Sequence, residues 1–64
     1  MSSKKIKLYD IEAEREGKLI TYAIFKQGRR YWIDSYLVHP SNASEWGIRT
    51  ELAVVFHAKF IRIM

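Results

Sequence analysis

Lys18-Leu-Ile-Thr-Tyr-Ala-Ile-Phe-Lys-Gln-Gly28-Arg-Arg-Tyr-Trp-Ile-Asp-Ser-Tyr-Leu-Val38 decides the fold. On both sides of Gly28 the residues are β-branched or aromatic, the types that fit a pleated, half-buried surface. Gly28 can supply the positive φ of a tight primed turn, so the stretch reads as two strands joined at Gln27-Gly28. A second glycine turn, Glu16-Gly17, points back to a strand from about Lys5 to Glu14. The expectation is a three-stranded antiparallel meander, with everything after Pro40 arranged against it.

The two turns set a register. A loop at Gln27-Gly28 places Lys26 opposite Arg29, Ile24 opposite Tyr31 and Tyr22 opposite Ile33. A loop at Glu16-Gly17 places Arg15 opposite Lys18, Ile11 opposite Tyr22 and Tyr9 opposite Ile24. Side chains alternate across a sheet, so each pairing assigns a face. One face then carries Tyr9, Ile11, Ala13, Ile20, Tyr22, Ile24, Tyr31, Ile33, Ser35 and Leu37, and is the core face. The other carries Leu8, Asp10, Glu12, Glu14, Leu19, Thr21, Ala23, Phe25, Arg30, Trp32, Asp34 and Tyr36, and faces mostly solvent. Both turns agree on which side is apolar.

Pro40 breaks the pattern, because it cannot continue a central strand and pushes His39 towards an extended conformation. Ser41 or Ser44 can cap a helix, with Glu45 well placed in its first turn. From Ala43 to Ile63 the preferred reading is a long helix, weakest at Gly47. On a wheel of 100° per residue, Glu51, Lys59 and Arg62 share one polar sector, and the apolar arc of Trp46, Leu52, Val54, Phe56, Phe60, Ile61 and Ile63 spans roughly 240°. One sheet face covers less than that, which leads to the expectation of a homodimer. The alternative is a short helix over 41–49 followed by a fourth strand, since the run from Leu52 to Ile63 is rich in β-branched residues. His57 falls within the apolar arc, where a buried hydrogen bond to a core-face tyrosine would satisfy it.

The fold class is therefore α+β, a β-β-β-α domain with the helix packed on one sheet face. All 64 residues make one domain, with 1–5 a flexible basic arm. There is no cysteine, hence no disulfide or thiolate metal site, which suits a reducing cytoplasm. Hydrophobic residues make up 48% of the chain, more than one small sheet and helix can hide, and this also points to a partner subunit. The N-terminus lacks the apolar run of a signal peptide, and the C-terminal segment is too short and too interrupted to span a bilayer.

No catalytic motif is visible. Asp10, Glu12 and Glu14 line up on an open strand with no histidine or nucleophile in register, so a solvated acidic edge outweighs acid–base chemistry. His39 and His57 have no ligand partners at metal spacing. The expectation is a non-enzyme with no metal, no cofactor, no small-molecule substrate and no membrane association.

Charge supplies the functional clue. The net charge is +4, and the register gathers Lys4, Lys5, Lys7, Lys26, Arg29 and Arg30 at one end of the sheet. A long helix running back would add Lys59 and Arg62 there, while Glu12, Glu14, Glu16 and Asp34 take the other end. Crowding like charges suggests a polyanionic partner. Trp32 and Tyr36, exposed beside Arg30, are the types on which bases stack, and also the types enriched at protein interfaces. In shape alone, a meander followed by a helix resembles the arm-binding domains of tyrosine recombinases, which insert a sheet into the major groove.

Two functions follow. The first is a small nucleic-acid-binding protein, with DNA first, such as a phage or mobile-element regulatory factor. Its contact residues would be Lys4, Lys5, Lys7, Lys26, Arg29, Arg30, Trp32 and Tyr36. The second is a protein-interaction module or inhibitor that docks an acidic partner surface through the aromatic sheet face or the helix.

Overall fold

A computed structural model describes residues 4–64. The expected arm over 1–5 falls outside the described residues as far as residue 3. The elements are β1 (Ile6–Arg15), β2 (Lys18–Gln27), β3 (Arg30–Ile33), β4 (Tyr36–Leu37), a 3-10 turn (Pro40–Asn42), α1 (Glu45–Val54) and β5 (Lys59–Ile63). The strands form one antiparallel five-stranded sheet in the order β4-β3-β2-β1-β5. The architecture is α+β, but the chain after the helix returns to the sheet instead of ending on it. This corrects the β-β-β-α expectation and departs from the recombinase-like shape.

The β1–β2 turn is the one expected. Glu16 and Gly17 have φ of 53° and 76°, positive at both central positions as a type I′ hairpin requires. Pairing from Arg15↔Lys18 to Tyr9↔Ile24 follows without a slip. A bulge between Lys7 and Tyr9 then sets Lys7 opposite Phe25 and Ile6 opposite Lys26. The extra residue inverts the alternation, so Lys7 joins Phe25 and Asp10 on the solvent-facing side.

The second turn is displaced by one residue. Gln27 pairs with Arg30 and Ile24 with Ile33, so the loop is Gly28-Arg29. Gly28, at φ 60°, occupies the first central position, the place a II′ turn reserves for glycine. The pairing moves by two positions, an even number, so Tyr22, Ile24, Tyr31 and Ile33 stay on one face.

Beyond Ile33 the expected register fails. Asp34 adopts φ 53°, donates its N–H to the Ala23 carbonyl at 2.8 Å and accepts the Ala23 N–H through Oδ1 at 2.9 Å. A short polar side chain that bonds backbone locally tolerates this left-handed conformation. The chain reverses there, Ile33 pairs with Tyr36, and Trp32 pairs with Leu37. Tyr36 therefore lies on the core side and Leu37 on the outer side, opposite to their expected faces.

Ser44 caps α1, its Oγ accepting the Gly47 N–H at 2.9 Å, with Glu45 in the first turn. The helix buries Gly47, Ile48, Glu51 and Leu52 against the sheet. It ends at Val54, where His57 turns the chain at φ 54° and the Ala58 N–H closes onto the Leu52 carbonyl at 3.0 Å. β5 then pairs with the free edge of β1, Phe60 opposite Ala13 and Ile63 opposite Ile11.

The core consists of Ile11, Ala13, Tyr22, Ile24, Ile33, Val38, Ile48, Leu52 and Ala58. Phe56 meets Tyr22 and Tyr36 edge-on, with centroids at 5.2 and 5.4 Å. His57 is exposed, not buried beside a tyrosine. The wide helical arc that suggested a homodimer is not one surface, since Phe60, Ile61 and Ile63 belong to β5 and Trp46 is 73% exposed. Among the described residues no helix is long and apolar enough to cross a membrane.

Candidate nucleic-acid interface at the β2–β3 end

A ten-residue strand extends roughly 33 Å, several times the ~8 Å screening length at physiological salt. The charges at the Glu16-Gly17 end of the β1–β2 hairpin are thus electrostatically separate from those at the Gly28-Arg29 end. Each end can be considered alone.

The Glu16-Gly17 end is balanced. Lys59 stands opposite Glu14, and Arg62 Nε lies 2.9 Å from Glu12 Oε1. Lys59 and Arg62 are therefore removed from the basic end, where a long helix would have carried them. Asp34 does not join the acidic end either, because its carboxylate is held by the Ala23 N–H in mid-sheet.

The Gly28-Arg29 end is unbalanced. The II′ turn projects Arg29, while Lys26 and Arg30 flank it on the adjoining strands. All three are exposed, and none makes an ion pair among the described residues. With them, Gly28, Tyr31 and Leu37 border an open cleft of about 690 Å³. Its remaining wall is Val38, Pro40 and Ala43, brought over the end of the sheet by the break at Pro40. Lys26 Nζ sits 5.4 Å from the Tyr31 ring centroid, so an aromatic face at the cleft already carries a cation. The result is a cationic rim around an apolar and aromatic interior.

The other expected contact residues divide. Lys4 is exposed at the start of the described chain. Lys7 is paired with Asp10, Nζ to Oδ1 at 3.0 Å. Lys5 crosses the outer face, its Nζ 4.1 Å from the Trp32 ring centroid, 4.9 Å from that of Phe25 and 3.3 Å from the Asp34 carbonyl that it donates to. Trp32 is half-buried behind this ammonium, and its indole N–H is buried with no acceptor among the described residues. It does not offer the bare platform that a stacked base needs.

Tyr36 lies on the core side, donating its hydroxyl to Glu51 Oε1 at 3.3 Å. The same oxygen accepts the His39 N–H at 2.9 Å. Burial, and then the Glu51 carboxylate beside it, push the Tyr36 phenol pKa up. Tyr36 thus ties β4 to α1 and is not part of an outer aromatic surface.

No protein-family model matches this chain, and no curated protein or solved structure matches it significantly. The reading of the site accordingly rests on its own geometry.

Three features escaped the sequence reading. Tyr31 and Ala43 line the cleft, and the signal for them was Pro40, which returns the chain over the β2–β3 end. The third is His39, whose Nδ1 accepts the Ser41 N–H at 3.1 Å and lies 2.7 Å from Ser41 Oγ. This histidine–serine contact caps the 3-10 turn that begins at Pro40. A nucleophilic reading needs a third group to orient the histidine, and no hydrogen bond from its other nitrogen occurs among the described residues.

Proposed function

We propose that the protein binds nucleic acid, DNA first, through the Gly28-Arg29 end of the sheet. The observation that carries this reading is that Lys26, Arg29 and Arg30 all border the cleft at this end, exposed and without an ion pair among the described residues. Such crowding has an electrostatic cost that a polyanion relieves, and arginine presents a planar fork matched to phosphate oxygens. Lys4 extends the same end. Lys5, Lys7, Trp32 and Tyr36 are engaged within the fold, so the contact set narrows to Lys4, Lys26, Arg29 and Arg30.

Gel-shift titration against random-sequence duplex and single-stranded DNA at two salt concentrations tests the reading. Affinity should fall steeply with salt. An absence of binding at low ionic strength to either DNA, and to RNA, rejects it.

One observation favours a second reading, a protein-interaction module. Trp46 and Val54 are 73% and 65% exposed on the outward side of α1. An exposed tryptophan is a common anchor of protein interfaces, and Arg49, 5.6 Å from the centroid of this ring, is of another type enriched there. In that case Trp46→Ala abolishes partner capture and leaves DNA affinity unchanged.

A further inference from the structure

We infer that the cleft at the Gly28-Arg29 end takes one unpaired base of a single strand, with the flanking phosphates on Lys26, Arg29 and Arg30. The inference rests on the nucleic-acid reading and specifies the ligand. If phosphates alone were bound, the cationic rim would be sufficient and the surface behind it could be flat and polar. Instead the rim encloses a concavity of about 690 Å³. That volume lies within the ~300–1,000 Å³ usual for small-molecule sites. Tyr31, Leu37, Val38, Pro40 and Ala43 form the apolar and aromatic part of its lining. The exposed Lys26 ammonium over the Tyr31 ring has to turn to a phosphate for a base to enter.

A nucleotide within a strand has that same pattern, a flat, weakly polar base with a phosphate on each side. Three cations around a single slot match it. An acidic peptide offers carboxylates that arginine also binds, but it does not regularly set an aromatic plane between two anions.

The shape also separates single strands from duplexes. Major-groove readers insert a projecting helix or ribbon, whereas here the cations surround a recess. A duplex can fill that recess only after a base is unpaired and unstacked, while a single strand presents its bases freely.

The test is fluorescence anisotropy on the full chain with four labelled probes, each at two salt concentrations. They are a twelve-nucleotide oligothymidylate, the same backbone with abasic sites throughout, the oligothymidylate–oligoadenylate duplex, and a peptide of alternating glutamate and phenylalanine. The oligothymidylate should bind tightest, and loss of its bases should weaken binding about 5- to 150-fold, the range seen for one stacked base. Tyr31→Leu, which keeps apolar bulk against the core, should shrink that ratio towards one while leaving the salt dependence in place. Retention of its thermal transition shows that the variant is folded.

Equal affinity for the abasic and thymidylate strands, or duplex binding as tight as single-strand binding, overturns the inference and leaves the nucleic-acid reading standing. Salt-sensitive binding of none of the three nucleic acids overturns both. Tighter binding of the peptide than of oligothymidylate also overturns both, and assigns the cleft to an acidic protein segment.

Discussion

Arg62 Nε stands 2.9 Å from Glu12 Oε1, across the β5–β1 pairing and away from the basic end. This contact separates the charge distribution of the structure from the one a long helix would make. Arg62→Ala should lower stability by about 1–3 kcal/mol, because the Glu12 side chain left without its partner is only 16% exposed. It should leave the salt dependence of nucleic-acid binding unchanged. A flatter salt slope in this variant would place Arg62 at the interface and contradict the separation of the two ends.

The three cations of the cleft should behave differently. Replacing Lys26, Arg29 and Arg30 together with alanine should weaken binding to every sequence alike. Each lost phosphate contact should flatten the log–log salt slope by about 0.7 on single strands and about 0.9 on duplex DNA. Binding measured at four salt concentrations gives the slope directly. An unchanged slope would show that these side chains touch no phosphate.

Gly47 gives a prediction whose sign runs against helix propensity. Glycine to alanine inside a helix ordinarily gains about 1 kcal/mol. At Gly47 an added Cβ would lie 2.0 Å from the Asn42 carbonyl oxygen, a backbone atom that cannot swing aside. Gly47→Ala should therefore destabilise the fold, by about 1–3 kcal/mol as overpacking does. Ile24→Ala and Ile33→Ala, each emptying a fully buried site, should cost about 2–5 kcal/mol. Urea denaturation followed by circular dichroism measures all three, and a stabilised Gly47→Ala would contradict the close approach of α1 to the 3-10 turn.

Tyr36 links stability to alkaline pH. Its folded pKa is raised above the ordinary 10.0 by burial and by the Glu51 carboxylate, so folding favours the neutral phenol. A raised pKa gives a stabilisation that is complete below the unfolded value and lost as pH rises through the folded one. Stability should thus decline above about pH 10. Tyr36→Phe should remove part of that decline. Absorbance titration at the phenolate band should show one slow-titrating tyrosine fewer in the variant, and Tyr9, raised chiefly by burial, should remain among the late ones.

The sequence by itself determined the faces of β1 from Tyr9 onward and of β2, the pairing from Tyr9 to Arg15 and the break at Pro40, and it narrowed the helix cap to Ser41 or Ser44. These features are local. Period-two alternation, a glycine at a turn and a serine ahead of a helix act over a few residues and need no distant partner. The slip at Gly28 was partly legible, since a glycine can open a tight turn or close it, and the even displacement kept Ile24 and Ile33 together. The bulge at Lys7 and the reversal at Asp34 were not legible. Each depends on which backbone groups of β2 remain to be paired.

The fate of residues 55–63 was decided by tertiary structure alone. Phe60, Ile61 and Ile63 suit a helix or a strand equally, and an apolar run of that length does not choose between them. The choice was made by β1, whose outer edge carries unpaired N–H and C=O groups from Ile11 to Glu14. A continuing helix would have left that edge open and much of its own apolar arc in water. A turn at His57 satisfied the edge with β5 and, in the same step, took Lys59 and Arg62 to Glu14 and Glu12, while the cations of the cleft make no ion pair among the described residues.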